Sequence, residues 1–442
     1  MCKLFTRRKV SEQKEVHCSV HQGNEMKENF GVDLISNLPC TIIENILGYL
    51  PLRDIVRTSI LSREWTYKWL TCPELVFDFW FDQMFLKGHK LEPLIYDILR
   101  HHQGPLLKFV VQVPDLKTCP EINEWIHLLP NTTLQDFTLH VSGGENHKLS
   151  PHLCTFQHLR NLRLYNCAFD PPPGFKGFSK LVNLDFQNVG LMPDKFLEFI
   201  ASSPKIERLR LINCTTFDCL ELTCPKLKFL EFHGLFRSVS FKNCPVLTDV
   251  RLTFSSLDFK NANGFSFDLV KCLSCLPALE ELQLQAYALE DLVEYGAPNK
   301  LPIALKTLKN LHLTDMYLEK PVETSCAICF IRRCPNLQGL KITAFTFEVV
   351  DSVADFLRSQ KTSDSLTQLK AVKMQLFCGI ESEMEFVKYL LASATALEEM
   401  TITPHAGSIS DGGESILNEL KQYPRASPRA EIISSDSKKV GS

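Results

Sequence analysis

The chain has 442 residues, 45% of them hydrophobic, with 48 basic and 51 acidic side chains and a net charge of −3. Near-neutrality argues against the uniformly basic field of a nucleic-acid-binding protein, and the apolar content is that of a globular chain. The length exceeds what one compact core usually spans, so several domains or an extended repeat is expected.

Residues 1–31 lack periodicity and bulk and are expected to be a disordered arm. The opening MCKLFTRRKVSEQKEVHCSVHQ has no apolar signal core, and no apolar run approaches the ~20 residues that span a bilayer. A cytoplasmic or nuclear protein is therefore expected, with its 17 cysteines reduced and the Asn131-Thr132-Thr133 and Asn213-Cys214-Thr215 sequons unused. Arg7-Arg8-Lys9 is either a nuclear address or a solvated basic triplet.

From Asp33 to Trp69 the apolar residues take helical spacing. Ile42, Ile43, Ile46, Leu47 and Leu50 form one face, with Pro39 in the first turn and Asn37 as the cap. Pro51 should end this helix. A second helix is expected to carry Ile55, Val56, Ser59 and Ile60, and a third, capped by Ser62, Trp65 and Trp69. Three short helices cannot bury this many large side chains among themselves, so part of the surface must meet the next domain or a partner.

These residues resemble the F-box, in the form found in plant F-box/LRR proteins. The match runs through Leu38-Pro39, Ile42, Ile46-Leu47, Leu50-Pro51, Asp54, Arg57-Thr58-Ser59, Leu61-Ser62 and Trp65, and on through Trp69 to Phe77-Asp78. Glu64 departs from the basic residue usual before the tryptophan. The resemblance implies docking onto the Skp-type adaptor of a cullin-based ubiquitin ligase, with Leu38, Pro39, Ile42, Ile46 and Leu50 as adaptor contacts. The bland alternative is a helical cap on the following domain.

A different regime follows. Leu159-Arg-Asn-Leu162-Arg-Leu164-Tyr-Asn-Cys167 has the form L-x-x-L-x-L-x-x-C. It recurs at Leu181, Ile206, Leu227, Leu247, Leu279, Leu308 and Leu337, with degenerate copies at Leu106, Leu134, Leu369 and Leu397. A register of this kind predicts a solenoid in which each copy gives one strand of a parallel sheet and the chain returns across the other face. Helical returns are expected from a cap at Asp194, from Leu269 to Leu276, from Cys326 to Arg333 and from Val349 to Leu357. The short intervals around 206–247 should return irregularly.

Cys272-x-x-Cys275 and Cys326-x-x-Cys329 have the spacing of zinc half-sites, but each pair lies on a helical stretch and no histidine supplies further ligands, so core packing is expected. No G-x-S-x-G, phosphate-binding glycine loop or H-E-x-x-H occurs, and His101-His102 closes a helical stretch. No catalytic residue, metal or cofactor is assigned, and the chain is not expected to be an enzyme.

From about residue 366 the order is strand, loop, helix, strand, with Met384, Val387, Leu390 and Leu391 on the helix face, then a helix from Ser415 to Tyr423 and PRASPRAEII. This resembles the FBD domain through Leu369-Lys370, Phe377, Gly379, Glu383, Glu385-Phe386-Val387, Leu390-Leu391, Leu397-Glu398 and Pro424-Arg425-Ala426-Ser427. As a whole, the chain resembles the plant F-box/FBD/LRR-repeat family. The expected fold is α/β: a three-helix F-box (32–78), an irregular leucine-rich-repeat solenoid (79–365), an FBD-like end (366–434) and a polar tail (435–442).

The resemblance implies a substrate-recognition subunit of an SCF-type ubiquitin ligase. The alternatives are a non-degradative protein-binding scaffold and a small-molecule co-receptor. Residues between the motif leucines face outward on the strand side. They interleave arginines, carboxylates and aromatics, which suits a protein partner, and later add Lys341 and Lys373. Arg163, Tyr165, Arg208, Arg210, Phe229 and Arg251 are the expected centre of the target site.

Overall fold

The computed structural model describes residues 38–61, 65, 68–81, 91–114, 116–117, 119–142, 146–214, 217–234, 236–254, 269–289, 305–345, 352–359, 366–405 and 413–435. The chain divides into two compact units, residues 1–180 and 181–442. The expected N-terminal arm, the Arg7-Arg8-Lys9 triplet, Asn37, Ser62 and Glu64 lie outside the described residues.

In the first unit, helix α1 (Cys40–Gly48) begins after Pro39, which is its N-cap with ψ 142°. The proline therefore stands one place before the first turn expected for it. Pro51 likewise caps α2 (Leu52–Thr58), and the first helix stops before it as expected. The Thr58 hydroxyl donates to the Ile55 carbonyl at 2.7 Å, and the second helix ends there. Ile60, expected on that helix, lies beyond its end and is exposed. Trp69 sits in a 3₁₀ turn, Lys68–Thr71, rather than on a regular helix with Trp65.

Four strands of this unit lie parallel in the order β1 (Glu74–Asp78), β2 (Lys108–Gln112), β3 (Asp136–His140) and, past the two-residue β4 (His147–Lys148), β5 (Asn161–Tyr165). A short β6 (Cys167–Phe169) pairs with β4. The returns carry α3 (Leu91–His101) and α4 (Glu121–Leu128), so His101 does close a helix. Register stacks Phe77, Phe109 and Phe137 inside, with successive ring centroids 6.0 Å apart.

The second unit opens with β7 (Asn183–Gln187), β8 (Gly190–Leu191), α5 (Pro193–Ala201), β9 (Arg208–Ile212), β10 (Phe217–Leu222), β11 (Phe229–Gly234), β12 (Phe236–Phe241) and β13 (Asp249–Phe254). It continues through α6 (Leu269–Ser274), β14 (Glu281–Gln285), β15 (Asn310–Met316), α7 (Pro321–Arg332), β16 (Gly339–Ala344) and α8 (Ser352–Ser359). Then come β17 (Ala371–Phe377), α9 (Glu381–Ser393), β18 (Glu399–Pro404), α10 (Glu414–Leu420) and β19 (Glu431–Ser434). Strands β7, β9, β11 and β13 to β19 pair in that order, all parallel.

The register is the motif made visible. Leu184, Leu209, Leu230, Val250, Leu282, Leu311, Leu340, Val372 and Met400 form one buried row along the sheet. Alternate residues then face the opposite side, because strand side chains alternate.

Two return segments differ from expectation. The short ones near residues 206–247 are not irregular: β10 and β12 pair parallel as a second ladder, which satisfies the backbone groups on their facing edges where no helix fits. Helix α5 is capped by Met192 with Pro193 at its first position, so Asp194 is a first-turn residue favoured by the helix dipole rather than the cap. In the 366–434 stretch, Met384, Val387, Leu390 and Leu391 are buried as expected. Helix α9 also buries Phe386, Tyr389 and Glu383, since α8 and α10 both pack against it. Cys272 and Cys326 are buried in α6 and α7, while Cys275 is exposed.

Candidate functional site

The first candidate surface is on α1. Ile43 and Leu47 are buried against Ile55, Trp65 and Cys72, and this cluster anchors the helix. Trp65, 3% exposed, therefore holds the module together. The neighbouring stripe is open: Ile42 is 44% exposed, Ile46 38% and Tyr49 91%. Of the expected adaptor contacts, Pro39, Ile42 and Ile46 are exposed together, whereas Leu38 and Leu50 are half-buried against the anchoring cluster. The five-residue apolar face thus splits in two. Tyr49 is not among the expected contacts, but its spacing from Ile42 and Ile46 puts it on the same helical stripe.

The second candidate surface is the outward side of the sheet ladders. In the first unit, Arg163 is exposed and Tyr165 lies beside its register partner His140, with ring centroids 5.3 Å apart. In the second unit, Arg208 is exposed and Arg210 half-buried. Phe229 faces the expected side but is only 6% exposed. The Arg208 guanidinium lies over its ring at 4.0 Å and that of Arg251 at 5.0 Å. The exposed aromatic anchor expected here is therefore roofed by two cations, a contact worth roughly 0.5–2 kcal/mol each.

The charges around it are also engaged. Arg210 reaches Asp185 at 3.5 Å and Glu231 at 2.9 Å, and Arg251 holds Asp249 at 3.0 Å. Its carboxylate partners keep the Arg251 guanidinium above its usual pKa. This end of the surface is a self-paired lattice.

Five of the described cysteines are poor nucleophiles. Burial pushes the thiols of Cys154, Cys224 and Cys334 up to about 12 and those of Cys119 and Cys214 to about 11, so they stay protonated at neutral pH. No cluster of histidine, cysteine and carboxylate side chains suited to a metal is found among the described residues. Nor is any helix among them long and apolar enough to cross a membrane.

The F-box domain model matches residues 35–75, and the leucine-rich-repeat domain model described as At1g61320/AtMIF1 matches residues 98–416. Both are protein-interaction modules. The chain is similar to the F-box/FBD/LRR-repeat protein At1g13570 of Arabidopsis thaliana, with 32% identity over 91% of this chain and 98% of that protein. It is also similar to the F-box/FBD/LRR-repeat protein At2g26030, at 23% identity over 91% and 99%, and to the F-box/LRR-repeat protein At5g02910, at 23% over 84% and 88%, both from the same plant. The module of α1 and α2, the in-register leucine ladder and these likenesses agree: the chain belongs to the plant F-box/FBD/LRR-repeat protein family.

Proposed function

We propose that this chain is the substrate-recognition subunit of an SCF-type ubiquitin ligase, working in the cytoplasm or nucleus. Residues 32–78 dock on a Skp-type adaptor, and the repeats hold a target protein. The observation that carries the docking step is the open stripe of Pro39, Ile42, Ile46 and Tyr49 on a helix whose adjacent face is packed on a core. A rigid, exposed apolar stripe is what a partner groove takes up. The chain itself performs no chemistry in this reading. It raises the effective concentration of a target lysine beside a ubiquitin-charged enzyme.

The test is capture of the purified adaptor by full-length protein carrying Ile42→Ala and Ile46→Ala. Both side chains are exposed, so thermal stability should stay within about 0.5 kcal/mol of the parent while capture falls at least about thirtyfold. Leu38 is left intact because truncating it would loosen the anchoring cluster as well. Undiminished capture by a folded double variant would remove this face from the ligase reading.

A further inference from the structure

Beyond Arg251 the outward row of the second unit changes character. Register carries it from Arg251 through Gln283, His312, Lys341 and Lys373 to Thr401. A groove of about 540 Å³ follows this row from β13 to β18. Gly339 and Ala371 line it where neighbouring strands carry longer side chains. The Asn310 side chain leans into the space that the missing Cβ of Gly339 leaves open. Five strand spacings of roughly 4.8 Å make the groove about 24 Å long, the length of about seven extended residues.

Its charges are unevenly spent. Arg251 is held by Asp249, with Glu231 and Glu281 nearby. His312 is neutral at physiological pH: burial, Lys341 and Arg251 lower it to about 4, and its two ring nitrogens meet Gln283 Oε1 and Thr343 Oγ1, each at 3.1 Å. Lys341 and Lys373 stand directly opposite each other on adjacent strands. Like charges in that position repel. Burial, Lys373 and Arg251 together pull the Lys341 ammonium below its usual range. Neither lysine has an ion-pair partner among the described residues. At the rim, Glu399 accepts from the Thr401 hydroxyl at 2.7 Å and Glu281 lines the wall, so added negative charge is welcome only in the middle.

We propose that this groove binds a short extended peptide of the target protein, with a carboxylate side chain seated between Lys341 and Lys373 and uncharged residues on either side. The proposal rests on the reading of the repeats as the target-binding surface and gives that surface a ligand chemistry. A carboxylate between the two ammonium groups turns their repulsion into two charge-assisted contacts. The groove's length rather than its depth selects a chain over a compact ion. The self-paired lattice around Phe229 then borders the site instead of forming its centre.

The experiment uses the full-length chain and fluorescein-labelled peptides of about seven residues with two adjacent central glutamates, glutamines or phosphoserines, read by anisotropy. Adaptor capture is measured on the same preparations. The glutamate peptide should bind at least about tenfold more tightly than the glutamine peptide, with the advantage shrinking as salt rises. Lys341→Gln with Lys373→Gln should erase the preference, while Lys341→Arg with Lys373→Arg should keep it, and both should capture adaptor as the parent does. Equal binding of glutamate and glutamine peptides, or an unchanged preference in the glutamine variant, overturns the proposal. Binding of the phosphoserine peptide without any preference for glutamate over glutamine also overturns it and gives the groove to phosphorylated ligands. Intact peptide discrimination with absent adaptor capture counts against the ligase reading alone.

Discussion

Asn166, Asn188, Asn213, Asp315 and Leu376 hold φ between 49° and 58°. They stand two places after the buried Leu164, Phe186, Leu211, Leu313 and Met374, and the left-handed turn there aims the next side chain back toward the core. Cys167, Val189, Met316 and Phe377 are buried as a result, and Cys214, which follows Asn213, is half-buried. Asparagine and aspartate tolerate this conformation, whereas leucine pays roughly 1–2 kcal/mol for it. Leu376 is also 39% exposed, so its side chain returns little by burial. Leu376→Asn should therefore raise unfolding stability by about 0.5–1 kcal/mol, read from the denaturant midpoint at constant slope; a lower midpoint would show that its packing outweighs the strain. His312 gives a pH signature. Its folded pKa of about 4 lies below the ordinary 6.5, so the unfolded chain takes up a proton first as pH falls. The group costs nothing above pH 6.5 and progressively destabilises the fold down to about 4. His312→Gln should flatten the decline of melting temperature across that window, and parallel profiles for parent and variant would contradict this assignment.

At the scale of elements, the connections rather than the strands carry the surprises. Glu383, fully buried at the third position of α9, accepts from the backbone N–H groups of Cys378 at 2.9 Å, Gly379 at 2.7 Å and Ile380 at 3.3 Å. Gly379 can make that tight approach because it holds φ 76°, and the Ile416 side chain fills the place of a Cβ. Glu323 plays the same part at the start of α7, accepting from Tyr317 N–H at 3.0 Å and from Lys320 Nζ at 2.8 Å. The carboxylate thus ties the end of a strand to the helix that follows it. Glu383→Gln preserves the volume but weakens three charge-assisted bonds, so it should cost about 1–3 kcal/mol in chemical denaturation; a neutral effect would mean that an amide serves as well. The helix spans of this region were legible because Met384, Val387, Leu390 and Leu391 keep helical spacing. The role of Glu383 was not, since a glutamate near a helix start looks like any solvated first-turn acid until its backbone partners are placed. The β10 and β12 ladder was hidden likewise, because its pairing joins segments about one repeat apart and neither shows more than a short apolar run.

At the scale of the whole molecule, what was legible was what is local. Alternation along each L-x-x-L-x-L copy fixes which side chains enter the core, because strand side chains alternate whatever lies beside them. That alone named the inward rows and the opposing outward ones, and the Leu-Pro and tryptophan spacing marked the F-box. Tertiary structure decided which members of each face stay available. It buried Ile43 and Leu47 while leaving Ile42 and Ile46 open, since a stripe on a helix wheel does not say how much of it the core will cover. It roofed Phe229 with Arg208 and Arg251, and set Lys341 against Lys373, because lateral neighbours in a parallel ladder come from different repeats. Intervals between copies vary with the returns, so a charge's neighbours are set by strand register and not by distance along the chain. The sequence determined a leucine-rich solenoid behind an F-box; only strand register decided where its charges are spent and where they remain to meet a partner.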